Sequence, residues 1–160
     1  MESLPFSFPL DYVIIFAVFA LAAFWAFRGN AAGVQAATLA LGLGYFISQA
    51  ISEAAFVGEW AAKLPSEGWM QLLPFVVISG VLMVALARVL EKFESSGEVL
   101  VSLLSALAFT AMMLAVWYQL PHVQNIWDFG SGIDFLFTAQ YLWWWMVGSI
   151  GLLYLGAQSG

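Results

Sequence analysis

An all-α, polytopic bundle of transmembrane helices is the fold class this sequence predicts, and three observations predict it. Of its 160 residues, 63% are hydrophobic and 9% charged, against about 45–50% and 25% in a soluble domain. Four bases and ten acids cannot clothe a soluble surface. Second, apolar runs of membrane-crossing length recur at about 10–27, 31–55, 72–90, 99–120 and 135–155. Third, polar or small residues return every seven positions along the second run: Gln35, Gly42 and Gln49, then Thr38, Tyr45 and Ser52. Steps of three and four hold these positions on one helix face. Hydrocarbon offers no hydrogen-bond partner, so that face is expected to turn toward protein. The stretch 35–53 is accordingly expected to be the central packing helix of one membrane domain covering 1–160.

The net charge of −6 argues against nucleic acid, whose phosphates demand a basic face, and against a polybasic lipid-binding segment. Without cysteine, disulfides, thiolate chemistry and iron–sulfur clusters are excluded. The single histidine, His122, excludes a haem held by two axial histidines. No cofactor or metal site is expected. The first nine residues carry Glu2 and no base, whereas a secretory signal needs a basic start. The first apolar run is therefore read as a retained span.

Pro5 and Pro9 make the entry extended. Asp11 opens the first span, where a carboxylate suits the positive end of the helix dipole; the functional alternative is an interfacial acid that binds a proton or a partner group. Arg28-Gly29-Asn30 closes the span with a cation and a turn. In the second span Gly44 and Ser48 form a small-xxx-small pair. Gln35 and Gln49 are read as glue between helices or, alternatively, as the lining of a polar pathway. Glu53 flanks the polar connection 56–71, where Trp60 and Trp69 beside Glu59, Lys63 and Glu67 suggest a segment lying at the membrane–water boundary.

Pro74 falls in the first turn of the third span, where a missing N–H costs nothing. Ser79-Gly80 is placed to seat a neighbouring helix. Arg88 and Glu91 are three apart and can pair. The short link through Ser95-Ser96-Gly97 makes spans three and four an antiparallel hairpin. Ser102, Ser105, Ala106 and Thr110 are packing signals on the fourth span, which ends in the interfacial pair Trp117-Tyr118. His122 is read as a surface residue, and Asp128 and Asp134 do not make a calcium loop. The fifth run carries Trp143-Trp144-Trp145, whose rings point to three sides of a helix and cannot form one platform. Gly148 and Gly151 suggest a close contact or a bend. This Trp-rich helix is read as a fifth span beside four core spans, with an in-plane helix as the alternative.

Arg28, Arg88 and Lys92 fall at the same side of a five-span bundle and Lys63 at the other. Cytoplasmic loops are enriched in Lys and Arg, which places the ends bearing Arg28 and Lys92 inside.

The first span opens with Asp11-Tyr12 and closes with Arg28-Gly29. A later helix ends in Val89-Leu90-Glu91-Lys92, and Ser96-Gly97 leads into a further span. This layout resembles the colicin V production (CvpA) family of small bacterial inner-membrane proteins, over about 11–118. The family usually places an Asp, a basic residue and glycines at the start of the fourth span, where this chain has Gly97-Glu98-Val99-Leu100. The family tail is usually polar or amphipathic, and here it is apolar and Trp-rich. The resemblance implies a multi-pass protein of the bacterial inner membrane. It also implies a role in toxin production or export and envelope homeostasis, with no established enzymatic chemistry.

Three functions are weighed. A non-enzymatic accessory or scaffold protein would use the polar ladder to pack spans, to dock other membrane subunits or to form a homo-oligomer. A small transporter or channel subunit, acting as an oligomer, is the alternative. Transport favours ionisable groups at membrane depth, and here every charge sits near an end of a span. An intramembrane enzyme is disfavoured, because Ser79 has no base within its own span. The candidate packing or functional residues are Asp11, Arg28, Gly29, Gln35, Thr38, Gly42, Gln49, Glu53 and Arg88. The expected partners are the lipid bilayer and other helices.

Overall fold

A computed structural model describes residues 10–53, 72–90, 99–120, 123, 129, 133, 135–137 and 140–158. The expectations for 56–71 with Trp60, Lys63 and Trp69, for Glu91, Lys92 and the turn at 95–97, and for His122, Asp128 and Asp134 lie outside the described residues.

All the described elements are helical. They are α1 (Leu10–Trp25), α2 (Ala31–Glu53), α3 (Leu73–Leu90), α4 (Val99–Trp117) and α5 (Leu142–Gln158), with a single wide turn, Ala26–Asn30, between the first two. Three stretches are long and apolar enough to cross a membrane: Leu10–Ile51, Leu73–Leu90 and Val99–Trp117. The first of these is broken at Gly29, whose φ of 81° is left-handed, a conformation open to glycine because it has no Cβ. Asn30 caps the restart, its Oδ1 accepting the Gly33 N–H at 3.0 Å.

Helix directions follow from which residues meet. Ala22 and Ala23 of α1 and Ala26 of the wide turn cluster with Ala106 of α4, while Ile14 and Ile15 pack against Leu114 and its neighbours. Numbers fall on α1 as they rise on α4, so the two are antiparallel. Gln35 meets Ser105 and Gly42 meets Met112, a constant offset of seventy, so α2 runs parallel to α4. The reversal at Gly29 thus sends α1 and α2 along α4 in opposite senses. Met146 of α5 joins the Met112–Val116 cluster, and Gly156 lies over Val101 and Leu104, which makes α5 antiparallel to α4. Phe75, in the first turn of α3, packs against the same cluster. Ser79 in mid-α3 faces Gly44 of α2, so α3 packs along α2 rather than as a hairpin closed against α4.

The ladder of α2 meets α4 at Ser105 and Met112, α5 at Met146 and α3 at Ser79. Helix α4 shares the centre with it: Ser102, Ser105, Ala106, Ala108, Ala111 and Ala115 are all buried and admit α1, α2 and α5. The expectation for the C-terminal run is corrected. Its helix starts at Leu142, not at 135, and continues to Gln158; Phe135, Leu136 and Phe137 lie in turns and bends. Hydropathy marked the whole run without seeing that its first residues fold back as a cap.

Candidate functional site

The first half of α2 and the facing side of α4 form a seam of small and polar side chains. Gln35 donates through Nε2 to Ser105 Oγ at 3.1 Å, a bond between groups that hydrocarbon would leave unmet. Thr38 is fully buried and returns its hydroxyl proton to Val34 O at 2.8 Å, and Thr110 does the same to Ala106 O. Such back-bonding satisfies a hydroxyl inside its own helix. Ser102 Oγ and Ser79 Oγ are buried with no partner among the described residues. Val34, Ala36 and Thr38 show no exposed surface and Ala36 lies on the face opposite Val34 and Thr38, while Gln35 and Leu39 are half-buried.

Further along α2, Gly42 sits 3.1 Å from Met112 and 3.5 Å from Met146, measured from where a Cβ would stand. Gly44 faces Ser79 of α3 so closely that a Cβ there would meet Ser79 Oγ and come within 3.1 Å of Ser79 Cα. Gly80 faces open space. The last rung of the ladder departs from expectation: Gln49 is exposed and bonds Tyr45 within its own helix. A straight helix drifts about 20° per heptad relative to a seven-residue repeat, so by the third rung the face has rotated off its partner. Tyr45 itself is half-buried.

The remaining candidates lie at helix ends. Asp11 is half-buried in the first turn of α1. Arg28 is exposed, with its guanidinium 4.5 Å over the Phe24 ring, a cation–π contact. Arg88 is exposed in the last turn of α3. Glu53 closes α2; its side chain lies outside the described residues. Since α1 ends and α2 begins where α4 begins and α3 ends, Arg28 and Arg88 occupy one end of the bundle and Asp11 the other. Among the described residues no group of three or more His, Asp and Glu gathers as a metal would require.

At the Asp11 end stands an aromatic stack that the residue patterns did not bring out. Tyr118 and Phe137 stack at 5.8 Å and 11°, and Phe137 and Trp145 at 4.5 Å and 20°. Phe129 is wedged against Trp117 and Tyr118 at 6.0 and 5.9 Å. The Trp145 indole N–H donates to Leu136 O. Phe129, Ile133 and Phe137 are all buried and stand four apart in the sequence; Phe137 falls at the start of the apolar run 135–155 and the other two just before it. Of the three consecutive tryptophans, Trp145 turns inward to the stack, while Trp143 and Trp144 are exposed. Gly148 and Gly151 face open space, and Gly156 supplies the close contact instead.

No family profile, curated protein or solved structure matches this chain.

Proposed function

We propose that this chain is a non-enzymatic, multi-pass membrane protein that serves as a scaffold or accessory subunit of the bacterial inner membrane. In this reading α1 to α5 are five spans. The exposed Arg28 and Arg88 mark the cytoplasmic end. The observation that carries the reading is the use made of polarity at membrane depth. Gln35 is spent on Ser105, Thr38 and Thr110 on their own helices, and Asp11, Arg28 and Arg88 stand at helix ends. Transport and proton transfer favour ionisable groups in the interior of spans, whereas here the bond from Gln35 to Ser105 joins two helices. The likeness to the colicin V production family supports placing the scaffold in toxin export and envelope homeostasis.

The test is isolation of the tagged chain from its native membrane in mild detergent, followed by reconstitution. The expected result is co-purification of other membrane subunits in fixed ratio, with no ion flux through proteoliposomes holding the chain alone. A chain that purifies by itself and conducts protons or potassium would replace this reading with the oligomeric channel.

A further inference from the structure

A cavity between α1 and α4 shares only Thr110 with the polar seam. Its volume is about 190 Å³. Ile14 and Val18 line it from α1, Met113, Leu114 and Trp117 from α4, and Phe129 closes its aromatic end. The polar groups among its lining residues are the Thr110 hydroxyl, which already donates to Ala106 O at 2.8 Å, and the indole N–H of Trp117. A trapped water needs two to four polar partners, and a dry apolar cavity of about 150 Å³ takes up benzene or xenon. An apolar occupant is therefore favoured over water, and the space holds several methylene groups.

We propose that this cavity receives an acyl chain of a bilayer phospholipid. Both walls belong to stretches long and apolar enough to cross a membrane. The cavity is partly open, and the neighbouring surface of α1, with Val13 and Phe16, is exposed. In a bilayer the matter against that surface is hydrocarbon at bulk concentration. Phe129, pinned between Trp117 and Tyr118, shuts the aromatic end, so the chain enters sideways between the helices. The inference rests on reading α1 and α4 as spans, and the experiment separates the two.

The full chain is reconstituted in phospholipid nanodiscs containing a trace of phospholipid with a diazirine in mid-chain, irradiated, digested and mapped by mass spectrometry. Phe16 and Leu21, both 69% exposed, report whether α1 faces lipid at all. Met113 reports the cavity. The expected result is adducts at all three in the native chain. Val18→Phe, which fills the cavity with a ring, should lower the Met113 adduct by about tenfold and leave Phe16 and Leu21 unchanged. Val18→Ala, which enlarges the cavity, should keep the Met113 adduct. Labelling of Phe16 and Leu21 without Met113 overturns the acyl site and spares the membrane reading. Absence of all three adducts overturns both. Equal Met113 labelling in Val18→Phe also overturns the site.

Discussion

Helices α3 and α4 are nearly equal in length, 18 and 19 residues, and alike in hydropathy. Yet 6% of α3 lies buried inside the protein and 61% of α4. The difference lies in side-chain size. The exposed residues of α3 include Val76, Val77, Val81, Val84 and Val89, branched side chains that hold a neighbouring backbone at a distance. On α4 the buried residues include Ser102, Ser105, Ala106, Ala108, Ala111 and Ala115, which let helices approach closely. With lipid as solvent there is no hydrophobic force between helices, so close packing and shared hydrogen bonds decide which helix goes inside. Apolarity places both helices in the same medium, and smallness chooses between them.

The contrast predicts opposite responses to one kind of substitution. Ala106 is fully buried where α1, α2 and α4 meet in a cluster of alanines. Ala106→Leu overpacks that junction and should cost about 3 kcal/mol, near the top of the usual range. Val81→Leu on the exposed face of α3 should change stability by less than about 0.5 kcal/mol. Unfolding in detergent, followed by circular dichroism as SDS is titrated, compares the two directly. Equal losses would remove side-chain size as the reason for the arrangement.

Only one residue of α3, Ser79, is buried, so its attachment to the bundle should be sensitive at that contact. A methyl at Gly44 would meet Ser79 Oγ and the Ser79 backbone. Gly44→Ala should cost about 1–2 kcal/mol. A disulfide engineered between α2 and α3 near this contact should form more slowly in the variant, while Gly80→Ala, which faces open space, should leave its rate unchanged.

Much of this was legible in the residues, for a physical reason. Hydropathy reports the surrounding medium, so it located α1 to α4 within a few residues. Backbone rules reported the Arg28-Gly29-Asn30 reversal, because a left-handed residue between two helices calls for glycine. Partner choice is a matter of relative size among several helices, and no single run displays it. The ladder of α2 is marked by its polarity, while the alanines of α4, chemically plainer, share the centre with it. The aromatic cap stayed hidden because Phe129 and Ile133 fall before the apolar run 135–155 and Phe137 within it, so no one run shows the three together.

The seam between α2 and α4 sharpens the comparison further, since it adds hydrogen bonding to close approach. Gln35→Leu removes the bond to Ser105 and buries an unpaired hydroxyl that can turn to its own helix instead. Interhelical hydrogen bonds in membranes are worth about 0.6 kcal/mol on average and at most about 1.7. The expected loss is about 0.6 kcal/mol in the same SDS titration, well below that of Ala106→Leu. A loss of several kcal/mol would mean that polarity, not size, orders these helices.

The smallest effect is expected where the ladder leaves its partner. The chain has no cysteine, so single cysteines can be read without background. Leu43 is 46% exposed and Thr38 fully buried, and these set the two extremes for reaction with a lipid-soluble maleimide. Gly42→Cys should react slowly, like Thr38→Cys, because Met112 and Met146 crowd it. Gln49→Cys should react nearly as fast as Leu43→Cys, although it lies seven residues from Gly42 on the repeat that a strict heptad would keep inside. Because Gln49 is exposed and its bond to Tyr45 lies within α2, stability should hardly change, and the reaction rate carries the result. A slow Gln49→Cys would mean that another surface covers the end of α2, either a second copy of the chain or a partner helix, and would extend the seam along the whole length of that helix.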